Sequence, residues 1–154
     1  GLKRVLWVDS GSRSGDDTDS HIDILARFCD PETIAYLKSD NPKDPDYESL
    51  MNMEAQLQSF RTLDGKPYRL VPLPKPEQMF LDDYPLPASY ANFLIINGAV
   101  LVPGSGSELD EVARTRLQEV FPDREVIVID CRPLLSGHGG LHCVTMQFPE
   151  GWLE

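Results

Sequence analysis

Short apolar runs alternate with two longer stretches of helical period along this chain. "KRVLWV" at 3–8 reads as a buried strand. "DSGSRSGDDTDS" at 9–20 follows as a polar loop. "HIDILARF" at 21–28 alternates partly, and strand character continues through "TIAYL" at 33–37. "DNPKDPDY" at 40–47 is turn chemistry. From Tyr47 to Leu63 the apolar spacing changes: Leu50, Met53, Leu57 and Phe60 make the stripe of an amphipathic helix. Asp46 suits its N-cap, and Asp64-Gly65 its close.

"YRLVPLP" at 68–74 predicts a strand, and the proline-rich stretch 74–89 a long surface loop. "NFLIING" and "AVLVPG" predict a hairpin about Asn97-Gly98. A second helix is expected over 108–121, with Leu109, Val112, Leu117, Val120 and Phe121 inward and Pro122 as its stop. "EVIVID" at 125–130 and "LHCVTMQ" at 141–147 complete the set as strands. Helices that are each followed by short strands predict a repeated ββαβ unit in an α/β fold. Neither a GxGxxG loop nor a Walker loop accompanies them, so a nucleotide fold has no support.

Composition narrows the function. The 154 residues suffice for one domain with a sizeable core. A net charge of −11 argues against nucleic-acid binding and suits a cationic substrate or simply a solvated surface. No apolar run is long enough for a membrane span. Cys29, Cys131 and Cys143 form no CxxC pair, so a cytoplasmic, reducing home is expected, with no disulfide framework and no zinc knuckle. Gly1 and Leu153-Glu154 read as protease and cloning remnants, leaving 2–152 as one unit.

Chemistry concentrates in three places. In "GDDTDSHID", Asp16, Asp17, Asp19 and Asp23 surround His21. On a strand, His21 and Asp23 would share a face, and a carboxylate beside an imidazole favours its proton-donating form. An acidic surface loop and a metal site are the other readings of these residues. In "LPASYANFLIING", Ser89, Tyr90 and Asn92 join a proline loop to a buried strand, and Asn92 can orient a loop by hydrogen bonding. In "GGLHCVTMQ", Cys143 is either an inert core thiol or a nucleophile, preceded by Gly137, Gly139 and Gly140, which permit close approach or positive φ.

Taken together, "DDTDSHIDILARF", "LPLPKP", "LPASYANFLIINGAVLVPGSG", "FPDREVIVID" and "GGLHCVTMQFP" resemble the agmatine deiminases and the related bacterial peptidyl-arginine deiminases of the guanidine-modifying (pentein) superfamily. The likeness covers nearly the whole chain. Ser20 stands where the family usually has glycine, and His138 interrupts a usual glycine run. The resemblance implies a five-bladed α/β propeller of ββαβ modules, of which this chain is the C-terminal half and holds about two to three. The N-terminal half would supply a further carboxylate from a glutamate–glycine–glycine stretch that is absent here.

The resemblance further implies a hydrolase that deiminates a small guanidino substrate, agmatine first. Peptidyl-arginine or free arginine is the alternative substrate, and a noncatalytic, partner-binding fragment the alternative role. Cys143 would be the nucleophile, His21 the acid–base group, Asp23 a catalytic and substrate-binding carboxylate, and Asp17 a further carboxylate at the substrate. No metal or organic cofactor is implied. Because Cys143 is predicted on a strand, its neighbour His142 would point to the opposite face, which favours His21 for proton transfer. Alone, the chain is expected to be nearly inactive, and to self-associate or pair with its missing half.

Overall fold

The computed structural model describes residues 2–15, 21–137, 139–149 and 151. Two ββαβ modules follow one another. In the first, β1 (Ala26–Asp30) pairs antiparallel with β2 (Thr33–Lys38), the chain crosses through α1 (Tyr47–Ser59), and β3 (Arg69–Pro74) pairs parallel with β2. A small hairpin intervenes, β4 (Met79–Leu81) with β5 (Tyr84–Leu86). In the second module, β6 (Leu94–Ile96) pairs antiparallel with β7 (Ala99–Gly104), α2 (Leu109–Val120) crosses, and β8 (Glu125–Asp130) pairs parallel with β7. A single turn of helix, α3 (Arg132–Leu135), follows.

The middle strand of each sheet explains the apolar runs. Thr33 to Leu37 are all buried, as expected of a strand covered on both faces. Helix α1 lays Leu50, Met53 and Leu57 onto Ile24, Leu25, Ile34 and Tyr36. Helix α2 packs Ala113 and Leu117 against Val100, Val102 and Val126, and the same core continues into Val71 and Leu73 of the first sheet. Arg116 Nη1 donates to Pro72 O at 2.6 Å and ties the modules together.

Several predicted elements differ. Residues 3–8 form no strand among the described residues, and Trp7 is 75% exposed. A strand needs a partner edge for its backbone groups. Among the described residues this one finds Gln56, whose side chain accepts from Asp9 N and donates to Trp7 O. Helix α1 stops at Ser59, because Phe60 is extended. Asp64-Gly65 instead turns a short bridge between Arg61 and Pro67, with Gly65 at φ +79°. Asp46 does not cap α1 through its side chain; Arg13, Ser14 and Lys75 occupy its carboxylate. Within 74–89, the hairpin turns through Asp82 and Asp83, both left-handed as a two-residue type I′ turn requires. On α2, Val112 faces outward and Ala113 inward. Residues 22–24 form a 3-10 turn rather than a strand. So do residues 142–144, where the last strand was expected.

Candidate active site

Each module places one polar residue just ahead of its first strand. Before β1, the 3-10 turn Ile22–Ile24 presents Asp23. Before β6, a tight turn from Ser89, closed by Asn92 N–H donating to Ser89 O at 3.2 Å, presents Asn92. Two bonds join these entrances. Ser89 Oγ donates to Ile24 O at 2.6 Å, and Arg27 Nη1 donates to Phe93 O at 3.0 Å. The Arg27 guanidinium also stands 5.1 Å over the Phe93 ring, a cation–π contact. Asn92 and Asp23 then meet directly, Nδ2 donating to Oδ2 at 3.1 Å.

The chain brings Cys143 to this pair after β8. Cys131 N–H donates to Gly104 O, α3 reverses the path, and Leu141 packs with Leu94 and Cys131. His142 N–H donates to Asn92 Oδ1 at 2.9 Å. Gly140 permits this approach: a Cβ there would lie 2.3 Å from Asn92 Oδ1. None of Gly137, Gly139 or Gly140 has positive φ, so close approach is the part of the glycine expectation that holds.

Cys143 is exposed, with Sγ 3.5 Å from Asn92 Nδ2 and 3.9 Å from Asp23 Oδ2. The other thiols differ. Burial pushes the Cys29 thiol up to about 11, and burial also raises Cys131, which is 1% exposed. Both are disfavoured as thiolates at neutral pH, so Cys143 is the candidate nucleophile by its exposure.

His142 is the main departure from the sequence reading. The 3-10 turn, unlike a strand, turns its ring toward the same carboxylate that Cys143 faces, with Nδ1 2.7 Å from Asp23 Oδ2. The geometric reason for setting His142 aside is therefore corrected. His21, two residues before Asp23, is exposed, and its side chain bonds no described residue. Because residues 22–24 are not a strand, a shared strand face for His21 and Asp23 is likewise corrected. Asp17, with Asp16, Asp19, Ser20 and His138, lies outside the described residues. Tyr90 points away from the site, donating to Asp110 Oδ1 at 2.6 Å beside α2.

Asp23 keeps one acceptor unspent: Oδ1 is covered and receives no donor among the described residues. A buried acceptor without a donor costs about 1–3 kcal/mol, and such groups call for a functional or structural explanation. Nearby, the sequence reading missed an anchor. Arg13, with its side chain fully buried, donates through Nε to Ala88 O and through Nη1 to Asp46. Asp46 also accepts from Ser14 and Lys75. This network pins residues 13–14, just ahead of the acidic stretch that begins at Asp16 in sequence, to the start of α1. Nothing in residue type alone marks Arg13, because its partners lie 33 and 75 positions away. Among the described residues, no group of three or more His, Cys, Asp or Glu is placed to hold a metal ion.

The same architecture occurs in known proteins. A Porphyromonas gingivalis structure described as a candidate arginine deiminase is 58% identical with a TM-score of 0.95, over 97% of this chain and 44% of that one. A C. jejuni agmatine deiminase structure is 37% identical with a TM-score of 0.84, over 92% of this chain and 41% of that one. Agmatine deiminase of Pseudomonas syringae pv. tomato is 30% identical over 96% of this chain and 45% of its own length. The chain thus spans under half the length of the relatives it matches. The model of the Porphyromonas-type peptidyl-arginine deiminases matches residues 1–149, and with the ββαβ modules and the Cys143–Asn92–Asp23 cluster this places the chain in that family.

Proposed function

We propose that the full-length protein hydrolyses the guanidinium of a small cationic substrate, agmatine first, to a ureido group and ammonia. The observation that carries this reading is an exposed thiol beside a carboxylate, both held by one buried amide. A guanidinium carbon is a poor electrophile because its charge is spread over three nitrogens. A carboxylate that binds its N–H groups holds the plane still for attack. Asp23 takes that role.

The Cys143 thiolate adds to the guanidinium carbon and forms the C–S bond. His21 gives a proton to the departing nitrogen; the C–N bond breaks, ammonia leaves, and a thiouronium remains on sulfur. His21 then takes a proton from water, the oxygen adds to the same carbon, and the C–S bond breaks to return the thiolate while the remaining hydroxyl proton passes to solvent as the ureido carbonyl forms. Asp17 would add a second negative charge beside the substrate. The sequence of steps requires no metal or organic cofactor.

The family to which the chain belongs supports peptidyl-arginine as the second reading, and the agmatine deiminases among its relatives support the first. In either case the chain is proposed as part of a five-bladed propeller in the cytoplasm. Alone it should turn over poorly, because a further guanidinium carboxylate is expected from outside it. Trp7, Met146 and Phe148 are exposed apolar residues that the remainder of the protein, or a second copy, would cover.

Ammonia release by the full-length protein from agmatine, arginine and an arginyl peptide, with and without chelator, tests the proposal. Agmatine should react fastest and chelator should change nothing. No ammonia from any of the three would end the deiminase reading, and activity restored only by zinc would end the metal-free mechanism.

A further inference from the structure

His142 precedes the thiol in sequence and meets its carboxylate in space. Two bare acceptors do not sit 2.7 Å apart, so a proton lies between His142 Nδ1 and Asp23 Oδ2. With Asp23 read as the carboxylate that meets the guanidinium, the proton belongs to the ring and Nδ1 is the donor. Asn92 Nδ2–H reaches the same oxygen at 3.1 Å. Asn92 Oδ1 meanwhile holds the His142 backbone N–H at 2.9 Å. The three residues close a ring: Asn92 fixes both the main chain of His142 and the oxygen that its side chain reaches.

A carboxylate on two rotatable bonds has many orientations, and two donors on one oxygen select one of them. Imidazole can do this without adding a positive charge. A lysine or arginine in the same place would cancel the charge of Asp23 against an incoming cation. We infer that His142 is a positioning residue, whose Nδ1–H locks the Asp23 carboxylate in the orientation that receives a guanidinium opposite Cys143 Sγ. The inference rests on the reading of Asp23 as the guanidinium carboxylate. Proton transfer stays with His21.

Two measurements on the full-length protein test it. The first is nitrogen-15 NMR of labelled histidines, which reads which ring nitrogen is protonated whether or not the enzyme turns over. The His142 signal, assigned by its loss in His142→Asn, should show a protonated Nδ1 that shifts in Asp23→Ala. A neutral ring with the proton on Nε2 alone would overturn the inference.

The second measurement compares His142→Asn, His142→Gln and His142→Ala. An asparagine side-chain nitrogen falls where Nδ1 was, and a glutamine nitrogen reaches the place of Nε2. Alanine and glutamine should lower kcat/KM on the order of 100-fold, as a misplaced substrate does. Asparagine should stay within roughly tenfold of wild type, with the pH profile of kcat/KM unchanged. Glutamine outperforming asparagine would assign the function to Nε2 and overturn the inference; so would three variants all near wild type. A wild-type protein that released no ammonia would instead sink the deiminase reading, leaving the NMR result to decide the position of the proton.

Discussion

Asp23 and Asn92 occupy matching places, each just ahead of the first strand of a ββαβ module, yet they are used differently. Asn92 is 1% exposed, and its amide spends both ends on the site: on the His142 N–H, on Asp23, and against Cys143. The Asp23 side chain is 18% exposed and keeps one oxygen without a donor among the described residues. A repeated architecture has thus placed a neutral, saturated amide at one module entrance and a charged, unsaturated carboxylate at the other. The first is suited to holding the site together. The second is suited to meeting a ligand.

Substitution at each entrance should separate these roles. Asp23→Asn removes the charge and keeps the shape. It should lower kcat/KM of the full-length protein for the proposed reaction by about 1000-fold, while thermal unfolding moves little, since losing charge-assisted bonds in the transition state costs several kcal/mol. A variant that unfolded early but retained its rate would reverse the comparison. Asn92→Ala should act the other way round. It strands the His142 N–H and withdraws a donor from Asp23, so stability should fall by about 2 kcal/mol in a denaturant melt. Activity should fall about 100-fold, through misplacement rather than lost charge.

The modules should also part company in acid. Burial alone would raise Asp46 and Asp44, but hydrogen bonds from Lys75, with Ser14 on Asp46, outweigh it and hold both carboxyls below their ordinary value of 3.8. Groups with a lowered folded pKa contribute stability above the unfolded value, and lose it as pH falls through the folded value. Both residues lie at the start of α1. Asp110 at the start of α2 is also held low, against burial, by hydrogen bonds from Ser105, Tyr90 and Gly106. The first module carries two such carboxyls on one lysine, so hydrogen exchange below about pH 4 should open the 13–14 anchor and α1 before the β6–β7–β8 sheet. Simultaneous opening of both modules would show that this anchor is not the weaker point. This is the smallest of the three effects.

How much was readable in sequence follows from where the information lies. Strands β2, β3, β7 and β8 announce themselves because their apolar runs are covered on both faces or paired in the core. Helix α2 does so through its stripe, apart from the exchange of Val112 for Ala113. The repeated ββαβ order was visible for the same reason, and two complete modules are found. Residues 3–8 have the same apolar look but no strand edge beside them, and composition cannot supply a partner. Residues 22–24 and 142–144 read as strands because their side chains are strand-like. Their paths are set by long-range bonds: Ser89 on Ile24 O, and Asn92 on His142 N–H.

For the site, residue types pointed to Cys143, Asp23 and Asn92, and the structure brings these together. They could not point to the His142–Asp23 contact, which spans 119 positions and depends on the 3-10 turn. The roles of His21 and Asp17 stand on the family resemblance. Asp17 lies outside the described residues, and His21 bonds none of them through its side chain.

The central claim is that the thiol held by Asn92 beside Asp23 is the nucleophile. Ammonia release by the full-length protein with each cysteine replaced in turn by serine tests it most directly. Cys143→Ser should abolish release with the fold intact, since a hydroxyl is far less nucleophilic than a thiolate at neutral pH. Cys29→Ser and Cys131→Ser should keep the chemistry whatever they cost in stability. Ammonia release retained in a folded Cys143→Ser protein would return Cys143 to the structural thiols and contradict the account.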